Sequence, residues 1–205
     1  VTTYLDPAAV DDDAATVRDA PLIVGVGGTL RAGSSTERLL HACLQVAKQR
    51  GCRTILFSGD ALDLPHYNPE DPARSAKAIR LIDALRKADG VVVGSPGYHG
   101  GISGIIKNSL DYTEDMRNDA RPYLQDIAFG AITCANGWQA AVGTLGQLRT
   151  IGHALRAWPT PLGIALNATE RIWDDTALPV DGVLGQIQTL AEQMVTFANV
   201  RRATR

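Results

Sequence analysis

Short apolar runs without polar alternation recur along the chain, each followed by a stretch in which apolar residues return every three or four positions. The first pattern suits strands buried on both faces, and the second suits amphipathic helices. Leu22 to Val26 is the first run; Leu39, Leu40, Cys43, Val46 and Ala47 then stripe a helix that Gly51 is placed to end. Arg53 to Phe57 predicts a second strand, followed by GDALDLPHYNPED, whose prolines and acidic residues predict a surface loop. Ala78, Ile79, Ile82 and Leu85 mark a second helix within Ala73 to Asp89, and Val91 to Val93 a third strand. A loop from Ser95 to Gly101 leads to a third helix through Ile102, Ile105, Ile106 and Leu110. Ile127 to Thr133 predicts the fourth strand and Pro161 to Leu166 the fifth, with helices through Ala141 to Leu155 and Val183 to Val200.

Strands alternating with helices of this length require right-handed crossovers and a parallel sheet covered on both faces. The predicted fold class is α/β, a doubly wound five-stranded parallel sheet in the order 2-1-3-4-5. In that order the connections reverse direction between the first and third strands, and ligands bind beyond the strand C-termini at that point. The glycine-rich loops Gly27 to Thr36 and Ser95 to Gly101 follow those two strands, so both fall at one crevice.

Composition narrows the partner. With 205 residues, 45% of them hydrophobic, and a net charge of -2, the chain can bury one sizeable core and has no general attraction for nucleic acid or anionic lipid. A small-molecule partner is expected. Cys43, Cys52 and Cys134 are odd in number and lack metal spacing, which predicts buried apolar residues in a reducing, cytoplasmic compartment and no metal site. No apolar run reaches the roughly 18 residues of a membrane span. Residues 1–20, with the acidic cluster Asp11 to Asp13, predict a mobile N-terminal arm, and residues 21–205 a single domain.

The first loop crowds donors at a helix start: Thr29, Arg31, Ser34, Ser35 and Thr36 stand where the unpaired N–H groups and positive dipole end of the next helix favour a phosphate. Ser34 and Glu37 also fit a capping box, with Ser34 as N-cap and Glu37 reaching back. A cap needs no ligand, but it leaves Arg31 and the paired glycines unexplained. A Walker A loop would end in Gly-Lys-Ser/Thr, which is missing, and the Rossmann pattern meets Leu30 where its third glycine belongs. The second loop holds Pro96, Gly97, Tyr98, His99 and Gly100; its glycines let backbone approach a flat ligand, and the alternative is a plain turn with Tyr98 packed over the sheet edge. A phosphate site beside a ring site fits a mononucleotide cofactor.

Two motifs resemble the NADPH-dependent FMN reductase family of the flavodoxin-like fold. GTLRAGSST, from Gly28 to Thr36, is similar to its G-[ST]-x-R-x-x-S phosphate loop, and SPGYHGGISGIIKNSLDY, from Ser95 to Tyr112, to its [ST]-P-x-Y-x-x-x-x-x-G-x-x-K-N-x-[IL]-D block. The resemblance implies that Thr29, Arg31, Ser34 and Thr36 hold the FMN phosphate while Pro96, Gly97, Tyr98 and His99 line the flavin. Gly97 stands where Glu is frequent in the family and His99 where Asn is frequent; a backbone contact at either survives the change. Asn136, Gly137 and Trp138, after the fourth strand, resemble the family loop at the far edge of the flavin, although Trp138 equally suits packing or a subunit contact.

The function implied is an NAD(P)H oxidoreductase in which hydride passes from NADPH to FMN and electrons go on to a second acceptor: free flavin, quinone, azo compound or metal oxyanion. The cofactor carries such chemistry, so no catalytic acid or base is required. The alternative is a non-enzymatic electron carrier of the flavodoxin type, for which strong acidity would be expected. A homodimer or homotetramer is expected from Tyr112, Met116 and Tyr123 among the charges of Asp111 to Tyr123, with Trp138 alongside, since interfaces favour such residues.

Overall fold

The computed structural model describes residues 19–204. Of the expected N-terminal arm, residues 1–18 lie outside the described residues. Strands β1 (Leu22–Gly27), β2 (Arg53–Phe57), β3 (Gly90–Tyr98) and β5 (Ala128–Ala135) form the parallel sheet with the short segments β6 (Trp158–Pro159) and β7 (Ile164–Asn167). Helices α1 (Ser35–Gln49), α2 (Ala76–Lys87), α3 (Gly104–Asp111), α4 (Trp138–Ala154) and α5 (Asp181–Ala203) make the connections and the outer layers. The order is β2-β1-β3-β5, with β6 and β7 both parallel to β5 beyond it; the two-residue β4 (Gly101–Ile102) pairs antiparallel with β3. With β6 and β7 sharing the fifth position, this is the flavodoxin-like order expected from the sequence.

Although the strands read as continuous apolar runs, their side chains divide by parity. Leu22, Val24, Val26, Val91, Val93 and Phe129 pack with residues of α2, α3 and α4, whereas Ile23, Val92 and Ile132 pack with α1 and α5. The helix ends follow local chemistry. Gly51, at φ 83°, ends α1: its N–H donates to Lys48 O at 3.0 Å and the Cys52 N–H to Ala47 O at 3.1 Å, a Schellman arrangement. The Arg121 guanidinium donates to the last carbonyls of α2, those of Leu85, Arg86 and Ala88. Asp89, buried at the start of β3, accepts from the Leu22 N–H at 3.0 Å and from Arg202 of α5 at 3.1 Å.

Three expectations change. The third strand runs to Tyr98, well past Val93, because Gly94, Ser95 and Pro96 stay paired with Ile132, Thr133 and Cys134 of β5. Pro96 is tolerated since pairing with β1 stops at Gly94, so β3 is an edge on that side. The fifth strand is split: β5 advances three residues from Phe129 to Ile132 while its partner advances five, from Pro159 to Ile164. Thr160 to Gly163 bulge out of the ladder, where Pro161 has no N–H to give. Tyr112 and Met116 are buried inside this chain's own core and offer nothing to an interface. The Tyr112 hydroxyl donates to Pro65 O at 3.0 Å, and its ring stands edge-on to Tyr67. Among the described residues no helix is long and apolar enough to cross a membrane.

Candidate functional site

Beyond the C-terminal ends of β1, β3 and β5 the chain encloses an open cavity of about 430 Å³. Its walls come from both glycine-rich loops and from the turn after β5: Thr29, Arg31, Ser34, Ser35 and Thr36, then Pro96 to Gly100, then Cys134, Ala135 and Asn136. These include every residue expected from the sequence except Gly137 and Trp138.

The first loop is a helix start with a redirected cap. The Ser34 hydroxyl accepts from the Glu37 N–H at 3.3 Å, as a capping box requires. The Glu37 carboxylate, however, does not return to the Ser34 N–H. It accepts from the Gly33 N–H at 2.7 Å and from the Ser58 hydroxyl at 3.0 Å, which draws it to the β2 side. The N–H groups of Ser35 and Thr36 have no intrahelical acceptor. With these N–H groups, the hydroxyls and the exposed Arg31 side chain on one wall, and no carboxylate lining the cavity, the arrangement can bind an anion.

The second loop is a hairpin. Tyr98 pairs with Gly101, and the two residues between them, His99 at φ 52° and Gly100 at φ 82°, both lie in the left-handed region that a tight hairpin turn demands. This accounts for the family departure at His99, since Asn and His are both among the side chains that adopt this conformation most readily. Gly97 has a steric cause. A Cβ there would stand 2.8 Å from Ala135 Cβ, 2.9 Å from Thr144 Oγ1 and 3.1 Å from Ala140 O, so the approach of α4 leaves no room for the Glu frequent in relatives. Gly97 presents only backbone to the cavity. Tyr98, 56% exposed, extends outward as an aromatic wall.

Two residues that sequence reasoning missed hold these loops. The Gln147 amide of α4 donates to Gly100 O at 2.9 Å and accepts from the Ile102 N–H at 3.3 Å. Asn167, buried at the end of β7, accepts from the Gly137 N–H at 2.8 Å and from Thr169. Gly137 therefore shapes the turn from behind. Trp138 is 49% exposed, and its indole N–H donates to Glu170 at 2.7 Å. Asn167 had one legible signal, its place at a strand C-terminus on the ligand side; Gln147 had none. The Lys-Asn part of the second motif is structural here. Lys107 pairs with Asp111, while Asn108 accepts from the Tyr67 N–H at 2.8 Å and donates to Pro65 O at 2.9 Å, fixing the long loop after β2. Cys134 is kept a thiol: burial pushes its pKa up, and a hydrogen bond with Ser35 acts the other way.

Comparison with known proteins gives the same picture. The chain is 45% identical over 117 residues to an NADPH azoreductase of Bacillus sp. (strain OY1-2), covering 54% of this chain and 62% of that protein. It is 25% identical over 133 residues to a probable NADPH:quinone oxidoreductase 2 of Oryza sativa subsp. japonica, covering 63% of each. The chain thus spans somewhat under two thirds of the length of these relatives. Its fold matches that of FerB, a flavoenzyme NAD(P)H:(acceptor) oxidoreductase from Paracoccus denitrificans, with a TM-score of 0.70 at 20% identity over 88% of this chain and 98% of that one. The model of the NADPH-dependent FMN reductases matches residues 21–170, a span that holds both loops and the turn after β5, and the chain belongs to that family.

Proposed function

We propose that this protein is an FMN-dependent NAD(P)H oxidoreductase, passing hydride from NADPH to bound flavin and electrons on to a second acceptor of the quinone or azo class. The observation that carries the reading is the meeting, in one cavity, of an anion-binding helix start and a backbone-lined hairpin with an aromatic wall. The residues fit FMN. Thr29, Arg31, Ser34, Ser35 and Thr36 would hold its phosphate, and Pro96, Gly97, Tyr98, His99, Gly100 and Asn136 would line its ring, Gly97 through backbone alone. Bound there, FMN would supply the two-electron chemistry. The chain's own part is to orient the ring, satisfy its polar edge from backbone, and leave one face open to two substrates in turn. The purified protein should be yellow, and anaerobic NADPH should bleach it; a protein that stays colourless after incubation with FMN refutes the reading.

The same reading includes a homodimer or homotetramer in the cytoplasm. Tyr98 lines the cavity, and Trp138 and Val142 stand on the first turns of α4; all are large apolar residues exposed in the single chain, as at surfaces that pair. The three cysteines are buried and unpaired, which supports a reducing compartment. Light scattering during size exclusion tests the assembly. A mass near 21.8 kDa with FMN retained would overturn it.

A further inference from the structure

The first glycine-rich loop is wound around a side chain that does not line the cavity. The backbone leaves β1 through Gly28, at φ 100°, and turns back at Gly33, at φ 70°. Between them Leu30 to Gly33 are exposed, and the Thr29 hydroxyl, which accepts from the Arg31 N–H at 3.1 Å, braces the outgoing arm only against itself. Glu37 meets both ends of the turn. At the near end a Cβ on Gly28 would come within 3.2 Å of Glu37 Cβ, so glycine lets the backbone pass close beside it. At the far end the Glu37 carboxylate accepts from the Gly33 N–H at 2.7 Å, while its other oxygen accepts from the hydroxyl of Ser58, just past β2, at 3.0 Å. In a capping box that carboxylate would serve the helix by returning to the N-cap N–H. Here it serves the loop before the helix.

We infer that Glu37 is a positioning residue for the cofactor's phosphate, and that Ser58 acts through it by drawing the carboxylate away from the helix and onto Gly33. With the return of the loop fixed before a ligand arrives, Arg31 and the first-turn N–H groups of Ser35 and Thr36 are set around the phosphate position, and less ordering remains to be done at binding. The inference rests on the proposed function. It assigns to Glu37 and Ser58 the recognition of the phosphate monoester and leaves the ring to the other loops.

Titration of the apoprotein with FMN and with riboflavin tests this, because the two ligands differ only in the phosphate. A general lesion of the helix start would weaken both together. Glu37→Ala should instead lower FMN affinity about tenfold and leave riboflavin unchanged. Glu37→Gln separates placement from charge: its amide oxygen can accept from Gly33 and its amide N–H can donate to the Ser58 hydroxyl oxygen, so FMN affinity should be kept. Ser58→Ala should lower the ratio of FMN to riboflavin affinity about threefold, and the double variant should bind FMN as Glu37→Ala alone does. Should Glu37→Ala not fold, the Ser58→Ala ratio decides. Amide hydrogen exchange in the apoprotein gives a readout without flavin: the Gly33 N–H should exchange slowly in the wild type and in Glu37→Gln, and fast in Glu37→Ala. An unchanged ratio in Glu37→Ala, a Glu37→Gln variant as weak as Glu37→Ala, or a full additional loss from Ser58→Ala in the double variant would each overturn the inference. A wild type that binds neither flavin, with Gly33 exchanging as expected, would instead refute the proposed function.

Discussion

Gln147 grips Gly100 from the side, its Nε2 donating to the Gly100 carbonyl at 2.9 Å while its Oε1 accepts from the Ile102 N–H at 3.3 Å. One flexible side chain thus fixes the turn and the returning strand of the hairpin that carries Tyr98 and His99. Two neutral hydrogen bonds contribute about 1 to 3 kcal/mol together. Gln147→Ala should therefore weaken FMN affinity by an amount in that range and broaden the bound flavin spectrum, with thermal stability little changed. Gln147→Glu keeps the acceptor and loses the donor, so it should fall between. Fluorescence titration of the apoproteins checks the order.

Arg31 is the exposed cation of the first loop, and the proposal gives it the phosphate. Arg31→Ala should weaken FMN binding by about 1.5 to 3 kcal/mol, the range for hydrogen bonds to charged groups. Riboflavin, which lacks the phosphate, should bind the variant and the wild type equally. Unequal riboflavin affinities would remove Arg31 from the phosphate and place it at the ring.

Gly97→Ala adds a methyl group at 2.8 Å from Ala135 Cβ and 2.9 Å from Thr144 Oγ1, both held between β3, β5 and α4. Overpacking of this kind costs about 1 to 3 kcal/mol. A fall of roughly 2 to 4 °C in Tm per kcal/mol is expected for a chain of this size, together with slower FMN binding. Calorimetry and stopped-flow mixing give the two numbers.

The Asp115 carboxyl is held below the usual carboxylate range, chiefly by the hydrogen bond from Arg74, with the charge of that guanidinium acting in the same sense and burial opposing. The pair is bidentate, at 2.7 and 2.9 Å, and the Arg74 guanidinium also stacks on Tyr67 and Tyr112. A carboxylate with a depressed folded pKa stabilises the fold above its unfolded pKa, about 3.9, and that contribution is lost as pH falls through the folded value. Wild-type stability should thus drop more steeply below pH of about 4 than that of Asp115→Asn, which should lose about 1.5 to 3 kcal/mol already at pH 7. Urea unfolding across that pH window distinguishes the two curves.

Sheet order and the meeting of two loops were legible because apolar periodicity and glycine position are local signals. Ser34 to Glu37 announced a helix start four residues long, and the start is there. Where Glu37 would turn was not legible, since Ser58 reaches it from the end of another strand. Pro96 read as a loop residue because its neighbour on the β1 side, or the lack of one, is a fact of tertiary structure. Tyr112 and Met116 read as interface residues for a related reason: sequence says that an aromatic will be covered, not by what. Gln147 and Asn167 act across 47 and 30 residues, and an isolated amide carries no sign of the carbonyl it will meet.

The divided fifth strand bears on how copies of this chain can meet. A sheet grows by recruiting a new strand along a continuous row of free backbone groups. On this side that row is two residues long, breaks at the Thr160 to Gly163 bulge, and resumes for four. Trp158 stacks beside Phe197 of α5 at the shorter segment. Such a border gives a second chain no register to follow, so accidental fibre-like growth is disfavoured along this edge.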